Sequence, residues 1–114
     1  MGARVIYNFK QSDGMYVCLY SHWGEDNRHN DLADALDKAL PRWNDESYCI
    51  RIVVSQLIGD EWDDETGFGL WASKEPCYDE TWIEIDLAAQ TVIDESGEHS
   101  FVTFTAYHKS VAAV

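Results

Sequence analysis

Basic residues are scarce in this sequence, and their scarcity excludes one class of partner. The chain has 8 Lys and Arg against 21 Asp and Glu, which gives a formal net charge of −13 at pH 7. Affinity for nucleic acid depends on Lys and Arg side chains that replace the counterions of the phosphate backbone. We therefore expect no direct binding of DNA or RNA.

Long apolar runs are also missing. The longest ones are only a few residues, whereas about 20 are needed to cross a bilayer. The segment from Met1 to Phe9 has no apolar stretch followed by a small-residue cleavage site, so it does not resemble a secretory signal. These features predict a cytoplasmic protein with no membrane partner.

Cysteine is present but lacks the spacing of a structural role. The three residues Cys18, Cys49 and Cys77 are odd in number and form no Cys-x-x-Cys pair, which argues against a disulfide framework and against structural zinc. The acidic run Asp60–Glu65 lacks the alternating ligands of a calcium loop because Trp62 interrupts it. We predict neither a metal site nor a cofactor.

Catalytic motifs are absent as well. The sequence has no Gly-x-Ser-x-Gly elbow and no glycine-rich phosphate loop that ends in Lys. Ser21 and His22 are adjacent in the chain, which is poor geometry for a nucleophile and its base. We predict that the protein is not an enzyme, and a hydrolase that uses His22 with a carboxylate is the residual alternative.

What is present suffices for one folded domain. The 114 residues are 46% hydrophobic and 13% aromatic, which is too apolar for a disordered acidic chain. A chain of this size can bury a core without disulfides or metal. We predict a single acidic α+β domain over residues 1–114.

The N-terminal part of the chain predicts a β-hairpin. The β-branched and aromatic runs Arg4–Phe9 and Met15–Tyr20 are separated by Ser12–Gly14, whose Asp-Gly step suits a tight turn. Leucines then recur at every fourth position, which indicates a helix. That helix is expected to have Asn30 or Asp31 as its N-cap and to stop near Pro41.

Two later segments are ambiguous between helix and strand. Asn44–Gly59 contains the strand-like run IRIVV, but it also has apolar residues at helical spacing, acids near its start and Gly59 at its end. We predict a helix there. From Ser100 onward the aromatic spacing fits a helix and the run FVTFT fits a strand, and we favour the helix.

Three strands are predicted between these segments, at Gly67–Ser73, Thr81–Leu87 and Thr91–Asp94, with a turn at Glu95–Gly97 after the last. In the second strand the Ile and Leu residues alternate with Trp82, Glu84 and Asp86, which predicts one buried and one wet face. The order ββααβββα predicts a two-layer α+β sandwich, in which an antiparallel sheet carries two or three helices on one face.

Negative charge is concentrated in the C-terminal half. Thirteen of the acidic residues lie between Asp60 and Glu98, where Lys74 is the sole base. Such a surface steers a basic partner toward it, although acids also serve to keep a protein soluble. The candidate acidic partner surface consists of Asp60, Glu61, Asp63, Asp64, Glu65, Glu84 and Asp86.

A second candidate site lies at the end of the predicted hairpin. The stretch Tyr20–Gly24 brings a hydroxyl, an imidazole, an indole and a glycine to a strand-to-helix junction, where binding residues are common. A purely structural loop is the competing interpretation. The candidate ligand-binding residues, which include three arginines for phosphate and a second glycine-bearing wall, are Ser21, His22, Trp23, Arg28, Arg42, Arg51, Gly67 and Phe68.

The segments Val17–Asp26, Leu40–Glu61 and Glu65–Trp71 resemble a family of small bacteriophage proteins. The strings YSHWG and RWxDESYxxRI carry the resemblance, which covers residues 16–71. It implies a phage-encoded accessory protein in the host cytoplasm and carries over no functional residue. By analogy, such a protein interferes with host defence.

The sequence features described above predict two alternative functions. In the first, the protein binds and sequesters a nucleotide-like signal, with Trp23 stacked on the base and arginines on the phosphate. In the second, it is an acidic mimic of nucleic acid that docks on a basic host protein such as a nuclease. Edge strands and Trp82 on the wet face would also support a homo-oligomer.

Overall fold

A six-stranded sheet carries three α-helices on one face within residues 4–109, the part of the chain that this computed structural model describes. The strands are β1 (Val5–Lys10), β2 (Tyr16–Ser21), β3 (Phe68–Ser73), β4 (Thr81–Asp86), β5 (Thr91–Asp94) and β6 (Gly97–Ser100). The helices are α1 (Arg28–Lys38), α2 (Glu46–Ile58) and α3 (Phe101–His108). This architecture is the predicted α+β sandwich.

The strand order is β3-β2-β1-β4-β5-β6, and the sheet is mixed rather than antiparallel. β1 and β4 run parallel, with Val5 opposite Thr81 and Lys10 opposite Asp86, whereas the other neighbours are antiparallel. The chain reaches β3 at one edge and then returns across the sheet to lie beside β1. Strand direction leaves no trace in the alternation of apolar residues, so the sequence pattern could not reveal this parallel pair.

Both ambiguous segments are helices, as predicted. In α2 the apolar residues Cys49, Ile50, Val53, Val54 and Ile58 are buried against the sheet and α1. That burial outweighs the preference of β-branched residues for strands.

The terminal helix, α3, begins where strand β6 ends. The Ser100 hydroxyl caps α3 by accepting a hydrogen bond from the backbone N–H of Thr103 at 3.0 Å. Strand β6 replaces part of the turn expected around Glu95–Gly97, because Gly97 and Ser100 pair with Asp94 and Thr91. Helix α1 begins at Arg28 with Asn27 as its N-cap residue, so the predicted N-caps Asn30 and Asp31 lie inside the helix.

The main core lies between the sheet and the helices. β1 is its centre, since Val5, Tyr7 and Phe9 point toward the helices and are fully or almost fully buried. Burying each such side chain contributes about 2 kcal/mol to folding. No helix in residues 4–109 has the length and apolar content of a membrane span, and the longest, α2, has 13 residues.

The opposite face of the sheet is covered by the connection between β3 and β4, and this corrects the expectation of a wet face. Glu84 is buried there and accepts a hydrogen bond from the Tyr78 hydroxyl at 2.7 Å. Burial, followed by the hydrogen bond to Glu84, raises the pKa of Tyr78, so that this hydroxyl stays protonated. Trp82 is half-buried and packs against the Tyr78 ring.

Asn8 of β1 holds this connection in place. Its side-chain Nδ2 donates to the Cys77 carbonyl at 2.9 Å, and the Cys77 N–H donates to Asn8 Oδ1 at 2.8 Å. The Cys18 thiol donates to the same Oδ1 at 3.3 Å. A fully buried amide therefore pairs with the backbone of a passing segment much as a neighbouring strand would.

Asn8→Ala is expected to lower the free energy of unfolding by about 2 kcal/mol, because it leaves the backbone polar groups of Cys77 without these partners. Urea denaturation measures the change. The matched control is Asn27→Ala, since the Asn27 side chain makes no capping hydrogen bond at the start of α1, and its effect should stay within about 0.5 kcal/mol. Equal losses in both variants would contradict the role given to Asn8.

The three thiols should differ in reactivity. Burial raises the pKa of Cys18 to about 11, with a smaller contribution from Cys77. The pKa of Cys49 is likewise raised to about 11, by burial and then by Asp45. At pH 8 one thiol of the native protein should therefore react rapidly with iodoacetamide. This thiol is Cys77, which is only half-buried. Cys77→Ala should remove the fast phase of iodoacetamide labelling, and a fast phase that persists would contradict this assignment.

Candidate functional site

A cleft of about 470 Å³ opens between α1, α3 and the β5–β6 hairpin. Its lining combines three imidazoles, two carboxylates, two hydroxyls and two aromatic rings: His29, His99, His108, Asp94, Glu95, Ser96, Thr103, Phe104 and Tyr107. Of the four histidines in the chain, three therefore meet at one place. This cleft is the candidate functional site.

Asp94 organises the floor of the cleft. It is the last residue of β5 and is buried. Its Oδ1 accepts hydrogen bonds from the Ser96 N–H at 2.8 Å and the Ser96 hydroxyl at 2.6 Å, which shape the turn into β6. Its Oδ2 lies 2.8 Å from His29 Nε2. One carboxylate thus fixes both the hairpin turn and the orientation of an imidazole on α1.

The charge state of Asp94 follows from these contacts. Burial alone would raise its pKa, but the hydrogen bonds from Ser96 and His29 outweigh burial and lower the pKa below its ordinary value. The carboxylate is therefore ionised at neutral pH and can only accept hydrogen bonds. We infer that His29 Nε2 carries the proton, so in the neutral ring Nδ1 is an acceptor.

His108 of α3 is the centre of an aromatic wall. Its ring stacks on His29 with centroids 4.9 Å apart and planes at 25°. It also contacts Phe104 at 4.6 Å and Tyr107 at 4.8 Å between centroids. The His108 carbonyl accepts a hydrogen bond from Asn30 Nδ2 at 2.7 Å, which ties the end of α3 to α1.

The environment of His108 keeps its ring uncharged. Burial lowers its pKa below the ordinary value, His29 lowers it further, Asp94 opposes the shift and His99 adds to it. A neutral imidazole beside two other rings is a surface on which a flat ligand can stack. The wall is therefore aromatic in character at neutral pH, despite the net charge of the protein.

Arg28 lies at the rim of the cleft but is already engaged. Its Nη2 donates to Glu95 Oε2 at 2.9 Å, and its Nη1 donates to the Glu25 carbonyl at 2.9 Å. Its Nε is buried and has no hydrogen-bond partner among the described residues. The guanidinium thus balances the charge of Glu95 and is not available to clamp a phosphate.

The structure brings together five of the ligand-binding residues predicted from the sequence. Ser21 is paired with Phe68 across β2 and β3, and the His22 N–H donates to the Gly67 carbonyl at 2.9 Å. Ser21 is buried, however, and 72% of the Trp23 side chain is exposed, with its ring edge-on to His22. These residues form a surface turn.

The predicted arginines do not converge on that turn. Arg28 contacts Glu95 at the histidine cleft, Arg42 lies over the Tyr48 ring at 5.1 Å, and Arg51 lines a groove beside α2. The three arginines therefore make their described contacts at three different places, and the phosphate site at His22 and Trp23 stays a prediction.

The hydrolase alternative pairs His22 with a carboxylate, and this pairing stays a prediction. The hydrogen-bond partner described for His22 Nδ1 is the Tyr20 hydroxyl, at 2.7 Å, rather than a carboxylate.

The acidic surface is smaller than predicted. Asp60, Glu61, Asp63, Asp64 and Glu65 are all exposed in the segment before β3. The other two predicted members are not: Glu84 is buried beneath Tyr78, and the half-buried Asp86 accepts a hydrogen bond from the Ala89 N–H at 3.0 Å.

The residues of the cleft were not identified from the sequence. His29 and Asp94 are 65 positions apart and meet only because β5 lies beside the helices. Phe104 and His108 fit a helical stripe, which indicates core packing as readily as a binding site. The one available signal was the uneven use of histidine, with three of four residues outside the conspicuous YSHWG string.

Comparisons with protein-family models, with curated proteins and with solved structures return no match for this chain. The geometry of the cleft and of the surfaces around it therefore carries the functional conclusion.

Protonation of His108 should destabilise the fold. Because its pKa in the folded state lies below the ordinary 6.5, the unfolded state binds the proton more tightly, and stability is lost as pH falls from 6.5 toward the folded value. The melting temperature should fall less between pH 7.5 and pH 5.5 in His108→Gln than in the unmodified protein. His22→Gln, outside the cleft, is the control and should retain the full fall. A fall of the same size in His108→Gln would contradict this assignment.

Proposed function

We propose that this protein binds a small heteroaromatic molecule, of nucleoside or nucleotide type, in the histidine cleft and acts by sequestering it rather than by converting it. The single observation that supports this proposal is the cleft itself. Its volume of about 470 Å³ lies in the usual range for small-molecule sites. It also combines a stacking wall with a few oriented polar groups.

The aromatic wall favours a flat ring. Stacking of a nucleobase on an aromatic side chain contributes about 1–3 kcal/mol, and His108 with Tyr107 offers such a surface above the buried Phe104 ring. Tyr107 is 82% exposed, which leaves its ring free to close over a ligand. A purely aliphatic ligand would not use this arrangement.

The polar groups favour a ligand that presents N–H and O–H donors. Glu95 lines the cleft with a carboxylate that is largely exposed, and His29 Nδ1 is an acceptor in the neutral ring. Exocyclic amines of a base, or ribose hydroxyls, match these acceptors. Recognition would therefore depend on the base and the sugar.

The charge distribution disfavours a phosphate inside the cleft. Asp94 and Glu95 are both present, and Arg28 is paired with Glu95. A nucleotide-like ligand would therefore bind in the histidine cleft and not at the surface turn of His22 and Trp23. A phosphate, if the ligand has one, would point toward solvent.

The biological purpose that we propose is the removal of a nucleotide-like signal used in host defence. It is supported only by the resemblance to small bacteriophage proteins. The cleft supports binding, and no step of a reaction is proposed for it.

A second function is favoured by a separate observation, the exposed acidic segment Asp60–Glu65. In this proposal the protein docks on a basic host protein, such as a nuclease, in place of nucleic acid. Only this segment of the predicted acidic surface supports the proposal, because Glu84 is buried.

The ligand proposal is tested by a thermal-shift screen against nucleobases, nucleosides, and linear and cyclic nucleotides. A ligand at 100 times its Kd adds about 2.7 kcal/mol to stability, a shift on the order of 10 °C for a domain of this size. Tyr107→Ala and His108→Ala should abolish the shift. The nucleoside should bind at least as tightly as its phosphate ester.

Two controls sharpen this screen. His22→Ala and Trp23→Ala lie at the surface turn and should leave binding intact. If these two variants lose binding and the cleft variants keep it, the ligand site is at the turn and the cleft assignment is wrong. Turnover of the bound ligand, or the absence of a shift with every compound, would overturn the proposal.

A further inference from the structure

β3 is an edge strand with unusual properties. It is last in the strand order, so one side of its backbone has no strand partner within residues 4–109. It is six residues long, has the sequence FGLWAS and contains neither a charged residue nor proline. Leu70 is 52% exposed, and Trp71 is exposed on the other face.

Such an edge is unusual in a protein that remains monomeric. Natural sheets protect their edges with short strands, charges, prolines or a covering element, because a free edge pairs readily with another chain. The opposite edge of this sheet follows that rule, since β6 has only four residues and includes Glu98 and His99. Of these two edges within residues 4–109, β3 is the long and uncharged one.

An apolar groove runs beside this strand. It lies between α2 and the helix-facing side of β3, has a volume of about 290 Å³ and is lined by Val17, Ile50, Val54, Trp62 and Leu70. Its polar lining residues are Gln11, Ser47 and Arg51, and the one positive charge of Arg51 is outnumbered by the five exposed carboxylates of Asp60–Glu65. Trp62 is 51% exposed. The helices cover β1 and β2 but leave this part of the sheet open, so an added side chain would find apolar contacts here.

The negative charge around the β3 edge indicates which kind of partner would bind there. Five exposed carboxylates lie in the segment Asp60–Glu65, which leads into the start of β3. They attract a cationic chain and repel a second copy of this protein, which carries a net charge of −13. The complementary occupant is therefore basic and heterologous.

We propose that β3 is the docking edge for an extended basic segment of a partner protein. The segment adds to the sheet as a further strand, places an apolar side chain against Trp62 and Leu70, and sets its Lys or Arg side chains on the carboxylates of Asp60–Glu65. Backbone hydrogen bonds supply affinity, and the groove and the charges supply selectivity. The inference rests on the second function proposed above and is independent of the histidine cleft.

The probe is a nine-residue peptide of alternating lysine and isoleucine, and its binding is measured by calorimetry at low and high salt. We expect binding that weakens with salt and slower hydrogen exchange of β3 amides. Asp63→Asn, Asp64→Asn and Glu65→Gln together should weaken binding about tenfold. The matched control, Asp26→Asn with Asp37→Asn and Glu98→Gln, removes the same charge elsewhere and should change the affinity much less.

A peptide of the same sequence with alternate backbone nitrogens methylated separates strand addition from simple charge attraction. It should bind far more weakly, because its donors to the edge are blocked. Equal binding of this peptide would overturn strand addition while leaving acidic docking intact. Failure of both peptides to bind would overturn the inference. So would a dimer that Leu70→Lys dissociates, because a second copy would then occupy β3. His108→Ala should leave peptide binding unchanged.

Discussion

The pairing of Asn8 with the backbone of Cys77 is the contact on which the arrangement of the sheet depends. After β3 the chain must cross the face of the sheet to reach the far side of β1, and Asn8 holds that crossing with two hydrogen bonds. The crossing allows β4 to run parallel to β1. It also buries Glu84 and places β5 and β6 beside α1 and α3. The histidine cleft forms only because this return path exists.

The fold separates its two candidate surfaces. The cleft is at the β5–β6 edge and depends on the contact between the half-buried His29 and the buried Asp94. The docking edge is β3, at the other end of the strand order. The exposed acids before β3 therefore act mainly on one surface, whereas the charge at the cleft is set locally by Asp94, Glu95 and Arg28. A small domain can in this way present an aromatic site and a charged one without conflict.

Local sequence patterns predicted the individual strands and helices better than they predicted how these elements are arranged in the sheet. The hairpin and the helices α2 and α3 follow from apolar spacing and end signals, because burial acts within a single element. The parallel pair of β1 and β4 and the burial of Glu84 depend on where a distant connection runs. The candidate site was missed for the same reason: YSHWG is conspicuous because its residues are adjacent, whereas His29, Asp94 and His108 become neighbours only in the fold.

The direct junction at Ser100 has a consequence for the speed and the entropy of the ligand capture that we propose. β6 ends there and α3 begins at the next residue, so two walls of the cleft are joined without a loop. A ligand that enters has no flexible segment to order at that junction, and little conformational entropy is lost there on binding. Association can then approach the rate of a preformed site, and differences in affinity between ligands would appear mainly in how slowly each one leaves.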